Sequence, residues 1–250
     1  MTARAEFMRR LRAEMAKTPG LFTAAPSPRP ARPRERVELL RRELAERWPA
    51  TLERFRAELE RVGGVFYRVP TAAEVPAVIG DLARARGFTR LVSWHEAALG
   101  AECTRGLAAF GLDVQAMPAG VPAVPERDRL RAVVAAADLG LTGVDLAIAE
   151  TGTLVLLSGA GRPRTTSLLP TVHVAVFDKD VLVESLEQGG LFLEAWHEGE
   201  APGERGAVIN FITGPSRTAD IELTLTRGVH GPKEVHVIFV EQGVEGVGGG

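Results

Sequence analysis

Leu139–Pro170 reads LGLTGVDLAIAETGTLVLLSGAGRPRTTSLLP, and the texture of this stretch decides the kind of fold. Val144–Ala149 is a buried apolar strand, Glu150-Thr151-Gly152 a turn carrying an acid, and Thr153–Leu157 a second strand. A glycine–arginine turn follows at Ser158–Arg164, then the hydroxyl-rich Thr165-Thr166-Ser167. Apolar strands that deliver polar, glycine-spaced residues at their ends are the usual way an α/β protein builds a site.

Upstream of this stretch, helical and strand periods alternate. Val37, Leu39, Leu40, Leu44, Trp48, Leu52, Phe55 and Leu59 keep a helical period through Arg61, with Pro49 marking a break or kink. Gly63-Gly64 ends that helix and Val65–Val69 is a strand. Thr71-Ala72-Ala73-Glu74 reads as a capping box for a helix to about Arg86. Thr89–Ser93 is a strand, Glu96–Phe110 a helix and Leu112–Met117 a strand, and Pro125-Glu126 opens a helix through Ala137. Strand–helix alternation of this kind predicts βαβ units and a largely parallel sheet.

Downstream, strands come faster: Val172–Phe177, Ala207–Thr213 and Val235–Val240, with one helix over Leu182–Trp196. The expectation is one α/β domain over 35–242, a largely parallel sheet flanked by helices with additional strands in its C-terminal half. Residues 1–34 precede it as an amphipathic helix (Phe7, Met8, Leu11 and Met15 at helical spacing) and a proline-rich linker. The glycine-rich 243–250 reads as a disordered tail. A short amphipathic helix on a linker suits contact with another subunit, a second copy of the chain included, or a strap across its own domain.

Composition narrows the function. The 250 residues are 45% hydrophobic and 25% charged, with a net charge of −2, which gives no reason to expect nucleic acid or an anionic membrane as partner. The single cysteine, Cys103, excludes an internal disulfide and any Cys-ligated zinc or iron–sulfur centre made by this chain alone. No histidine pair has the i,i+4 zinc spacing, so no metal site is expected. No apolar run is long enough to span a bilayer and no signal-peptide core is present, so the expected location is cytoplasmic. Gly159-Ala160-Gly161-Arg162-Pro163-Arg164 lacks the third glycine of a dinucleotide turn, and there is no P-loop, so no redox cofactor of its own is expected.

Four places carry candidate chemistry. Glu150, at a strand end beside Thr151, Gly152 and Thr153, reads either as a carboxylate raised by apolar walls into a base or nucleophile, or as an acid satisfying turn N–H groups. Arg162, Arg164 and Ser167 belong to a turn with the chemistry of an anion site, or to a solvated hairpin. Gly214-Pro215-Ser216-Arg217-Thr218-Ala219-Asp220-Ile221-Glu222 follows another strand and combines hydroxyls, a guanidinium and two acids. Gly228-Val229-His230-Gly231-Pro232 presents His230 between glycines for ligation or proton transfer. His173 and His236 lie in apolar strands and read as core or strand histidines.

Taken together, these stretches resemble the LUD-domain family, in its lactate-utilisation protein C (LutC, YkgG) group. The resemblance rests on Gly143-Val144-Asp145-Leu146-Ala147-Ile148-Ala149-Glu150-Thr151-Gly152-Thr153 and on Ser167-Leu168-Leu169-Pro170 with His173. Gly214–Glu222 and Gly228–Pro232, ahead of Val235-His236-Val237, complete it. It implies a NagB/RpiA/CoA-transferase-like fold and a part in oxidising L-lactate to pyruvate beside iron–sulfur partners of the LutA and LutB kind. The clusters would then sit in the partners, with this chain at most a subunit of the oxidising complex. The resemblance also makes His173 and Gly231 candidate ligand-binding residues alongside those above, with Glu150 and His230 the candidate catalytic pair. Ala149-Glu150-Thr151-Gly152 is similar, with threonine for asparagine, to the catalytic turn of class I CoA-transferases. Acyl or CoA transfer through Glu150, or a purely structural subunit, are the alternative readings. Leu139–Pro170 is expected to form one wall of the site and the two later glycine loops the other.

Overall fold

The computed structural model describes residues 3–17, 30–197, 208–219 and 225–244, so Asp220 and Glu222 lie outside the described residues. The chain divides into two compact units, residues 1–31 and 32–250. In the first, the expected N-terminal helix forms as α1 (Ala3–Ala16), where Glu6 pairs with Arg9 at 2.6 Å and Arg10 at 2.9 Å. Such pairs, one turn apart, add a few tenths of a kcal/mol each to an exposed helix.

The second unit opens with α2 (Pro33–Arg61), which starts two residues before the expected boundary because Pro33 suits the first helical turn. Of the break or kink expected at Pro49, the break does not occur: the helix runs on, although proline removes one backbone donor from the ladder. Its buried face is the reason. Leu52, Phe55 and Leu59 are fully buried on the large sheet, while Val37 and Leu44 join a second core. Phe55 meets Phe177 edge-on at 5.1 Å, and Phe177 meets Phe239 at 5.4 Å. Burying each ring is worth roughly 2–3 kcal/mol, enough to hold the helix through one lost hydrogen bond.

The large sheet is parallel throughout. Its strands are β1 (Val65–Val69), β2 (Arg90–Ser93), β3 (Asp113–Ala116), β4 (Leu139–Gly143), β7 (Val172–Asp178) and β12 (Glu234–Val240), in the order β1-β12-β7-β4-β2-β3. Between β4 and β7 come β5 (Leu146–Ile148) and β6 (Thr153–Ser158); with β8 (Leu182–Val183) and β9 (Val208–Ile212) they make a second sheet, β8-β5-β6-β9. A small antiparallel pair, β10 (Arg217–Ala219) and β11 (Leu225–Arg227), completes the strands. Covered on both faces, β7 and β12 read as nearly unbroken apolar runs, as buried parallel strands do.

Helices α3 (Val75–Arg86), α4 (Glu96–Leu99), α5 (Val124–Ala135), α6 (Thr165–Leu168) and α7 (Leu186–Trp196) fill the connections. Four expectations need correction, the first being that the helix expected from about Leu182 begins at Leu186, with Leu182 and Val183 forming β8. The helix expected over Glu96–Phe110 is α4 followed by two 3-10 turns, because Gly100 and Gly106 take φ of 86° and 83°. Its period was real, since Leu99, Cys103 and Leu107 are all fully buried. The capping box at Thr71 does not form: Thr71 Oγ1 donates to the Glu74 carboxylate at 3.2 Å and a 3-10 turn precedes α3. The strand β4 was missed altogether, its glycines having the look of a turn. Gly140 is needed there because a Cβ would sit 1.9 Å from the Thr166 carbonyl oxygen of α6.

Strand order locates the crevice. The chain leaves β2 toward β3 at one edge, and leaves β4 toward β7 in the opposite direction. The C-terminal ends of β2 and β4 therefore flank a topological switch point, where open α/β sheets bind ligands.

Candidate ligand pocket at the switch point

At the switch point, the residues after β2 are tied to the turn after β6. Trp94 N–H donates to Leu141 O at 3.0 Å and His95 N–H to Gly161 O at 2.9 Å. Trp94 Nε1–H reaches Pro163 O at 3.4 Å. The Arg162 guanidinium lies 5.1 Å over the Trp94 ring, bonds Asp145 at 2.8 Å and donates to Leu157 O at 3.2 and 3.0 Å. Asp145 in turn accepts from Leu157 N–H at 2.7 Å. Arg162, expected to grip an anion, instead fixes the Gly159–Pro163 turn against the sheet.

Beside that turn lies a pocket of about 270 Å³. Its walls are Met117, Val121 and Pro122 after β3, Leu130 and Val134 of α5, and the backbone of Gly159–Gly161 with Pro163 and Thr165. Arg127 and Arg131, one turn apart on α5, also line it. Arg131 makes a loose, exposed contact to Asp128 at 3.6 Å, and Arg127 has no ion-pair partner among the described residues. The type of environment is plain: carbon walls with two guanidinium groups, suited to an anion bound bidentately. Apart from the turn backbone, sequence reasoning missed this site. Its signal was available in α5, where Arg127 and Arg131 repeat at the same spacing as the apolar Leu130 and Val134.

The remaining expected residues divide between two other places. Glu150 is exposed, and its Oε2 accepts from Leu186 N–H at 2.8 Å at the start of α7. A carboxylate there favours the helix dipole and satisfies an orphan N–H, the structural one of its two readings. Gly152, at φ 62°, lets the turn approach α2 rather than a ligand, because a Cβ would lie 2.4 Å from Leu59 N. The Thr151 and Thr153 hydroxyls meet at 2.7 Å, and Thr153 meets Thr213 at 2.7 Å.

Beyond Thr213, the two glycine loops meet each other. Ser216 N–H donates to Pro232 O at 2.9 Å, and His230 N–H to Ser216 Oγ at 3.3 Å, while Gly231 faces the Ser216 side chain. Arg217 donates to Val62 O at the C-terminus of α2, where a cation complements the helix dipole. Thr218 pairs with Thr226 across β10 and β11. Gly228–Pro232 leads into β12, and Gly214 and Arg217 meet Val62 just ahead of β1, so these loops occupy the N-terminal edge of the parallel sheet, opposite the switch point.

The two expected walls therefore meet only in part among the described residues: Thr153 bonds Thr213 just ahead of Gly214, while the arginine turn lies elsewhere. Glu150 and the arginine turn stand at opposite ends of the six residues of β6, roughly 17–20 Å apart. Arg164 is exposed beside the pocket-lining Pro163 and Thr165. Ser167 is buried and donates to Arg164 O at 3.0 Å. His173 is fully buried, 2.9 Å from Thr142 Oγ1, and burial, reinforced by nearby His236, pushes it down to about 3. It is a neutral core residue at neutral pH.

Sequence reasoning also missed a side-chain network on β1 and β12. Tyr67 Oη and His236 Nδ1 lie 3.0 Å apart, His236 Nε2 and Glu234 lie 3.0 Å apart, and Arg86 grips Glu234 at 2.5 and 3.0 Å. Burial pushes Glu234 up, but His236 and Arg86 outweigh it and hold the carboxyl below its ordinary range. Burial also pushes His236 down against the pull of Glu234. Cys103 is buried and its thiol is pushed up to about 12, chiefly by burial, so it stays protonated. Among the described residues no cluster of His, Cys, Asp or Glu could hold a metal ion, and no helix is long and apolar enough to cross a membrane.

Fold and pocket together define a doubly wound α/β protein with an anion-suited cavity at its switch point. The LUD domain model matches residues 52–240, and the chain belongs to that family. Among relatives, lactate utilization protein C of Halalkalibacterium halodurans is 46% identical over 117 residues, covering 46% of this chain and 50% of that protein. Lactate utilization protein C of Macrococcus caseolyticus is 30% identical over 171 residues, covering 68% and 70% respectively. The match to the first thus spans half of that relative's length. The crystal structure of a DUF162 family protein from Deinococcus radiodurans superposes with a TM-score of 0.51 at 25% identity, covering 77% of this chain and 98% of the other.

Proposed function

We propose that this chain is a component of an L-lactate utilisation system and binds a carboxylate or similar anion in the switch-point pocket. The observation that carries the ligand part is the pair of arginines, Arg127 and Arg131, on the rim of an apolar cavity at the strands' C-terminal edge. The names of the relatives support the lactate part. In this reading, electrons from lactate pass through iron–sulfur partner proteins, because the one thiol here is buried and protonated, whereas cluster ligands are thiolates. The chain then contributes binding or assembly.

The test is growth on L-lactate of a strain lacking the gene, complemented with wild type or with Arg127→Glu plus Arg131→Glu. The proposal expects wild type to restore growth and the double variant to fail while remaining folded. Normal growth of the uncomplemented deletion on L-lactate would remove the lactate role. Full rescue by the double variant would remove the pocket from it.

A further inference from the structure

The size and lining of the pocket say more than that an anion binds. A volume of about 270 Å³ lies near the lower end of small-molecule sites, which run from roughly 300 to 1,000 Å³. L-lactate would occupy only a fraction of it and would set a hydroxyl and a small methyl against carbon walls. Met117, Leu130 and Val134, which are buried, form an apolar floor, and Val121, 79% exposed, extends apolar surface to the lip. The two guanidinium groups stand together on α5 beside that floor. Ala160 and Gly161, lining the same pocket, have backbone N–H groups with no hydrogen-bond partner among the described residues.

Resting on the proposal that this pocket is the anion site, we infer that its ligand is an amphipathic anion larger than lactate: a carboxylate or phosphate carried on an apolar, ring-sized body. The charged group lies at Arg127 and Arg131, which supply paired N–H donors. The body lies on Met117, Leu130 and Val134, where removal of apolar surface from water adds affinity that a small hydroxy acid cannot gain. Lactate in such a site would leave most of the cavity to water, and it would be discriminated against by size rather than by charge.

Calorimetric titration of the full chain with phenylpyruvate, phenyl phosphate and L-lactate tests this. The expected result is that at least one aromatic anion binds tenfold or more tightly than L-lactate. Its binding falls tenfold or more in Arg127→Glu plus Arg131→Glu and several-fold in Val121→Asp. All three substituted residues are exposed, so these variants keep the fold, which circular dichroism checks. Preference between phenylpyruvate and phenyl phosphate identifies the anionic group as carboxylate or phosphate. Arginine-dependent binding of L-lactate as tight as that of the aromatic anions would overturn the inference and leave the anion site standing. Binding of none of the three, or binding indifferent to the arginine substitutions, would overturn both.

Discussion

His173 makes the fold sensitive to acid in a calculable way. The imidazole is fully buried in β7, Nε2 is paired with Thr142 Oγ1, and Nδ1 has no partner among the described residues. An imidazolium carries two N–H donors, so protonation would bury both a charge and an unsatisfied donor. Folding therefore moves the histidine from its ordinary 6.5 down to about 3, through burial first and the nearby His236 second. The sign follows. As pH falls below 6.5 the unfolded chain takes the proton first, so stability is complete above that value and drains away toward pH 3 at about 1.4 kcal/mol per pH unit. Between pH 7 and pH 5 this one residue removes about 2 kcal/mol.

Other buried groups are shifted as well. His236 is pushed down by burial and acts in the same direction, while Asp178, pushed up by burial, acts in the opposite one. The informative quantity is thus a difference between proteins. Urea unfolding followed by tryptophan fluorescence at pH 7 and pH 5 should show wild type losing about 2 kcal/mol more than His173→Gln, whose side chain cannot titrate. Equal losses in the two proteins would refute the reasoning, whatever the absolute stability of the variant.

Three further outcomes are expected. Arg162→Ala removes the guanidinium that bonds both Asp145 and the Leu157 carbonyl, in a site where the two side chains are 25% and 13% exposed, and should cost about 2–4 kcal/mol in denaturant unfolding along with anion binding; a cost under 0.5 kcal/mol would mean the turn is held otherwise. Glu150→Ala should cost about 1 kcal/mol as a lost helix cap and leave anion binding unchanged, whereas loss of binding at full stability would restore it to the site. Gly140→Ala drives a methyl into the Thr166 carbonyl and should cost at least about 3 kcal/mol or abolish soluble expression; near-native stability would show that α6 is not fixed on β4.

The parallel sheet was legible in the sequence because buried strands such as Val172–Asp178 and Glu234–Val240 announce themselves by unbroken apolar runs. Leu139–Gly143 was not, since the glycine that admits the α6 backbone is also the residue that marks turns. The polar loops were identified but their employment was not. Glu150 and Arg217 look like site residues because helix ends require the same charged donors and acceptors that ligands do. Arg162 looks like an anion grip because a partly buried ion pair with Asp145 uses the same fork. The glycine–arginine turn does line the switch-point pocket, but through its backbone and not through its arginines. The arginines that line the pocket sit on a helix whose facing partner depends on strand order, which spacing along one chain does not disclose.

The claim on which the account turns is that the ligand sits at the C-terminal edge of the parallel sheet and not among the glycine loops at the other edge. Hydrogen–deuterium exchange with and without a saturating aromatic anion tests it directly. Protection over residues 117–134 and 159–165, with none over 213–218 and 228–232, is the predicted result; protection confined to the latter two segments would contradict it.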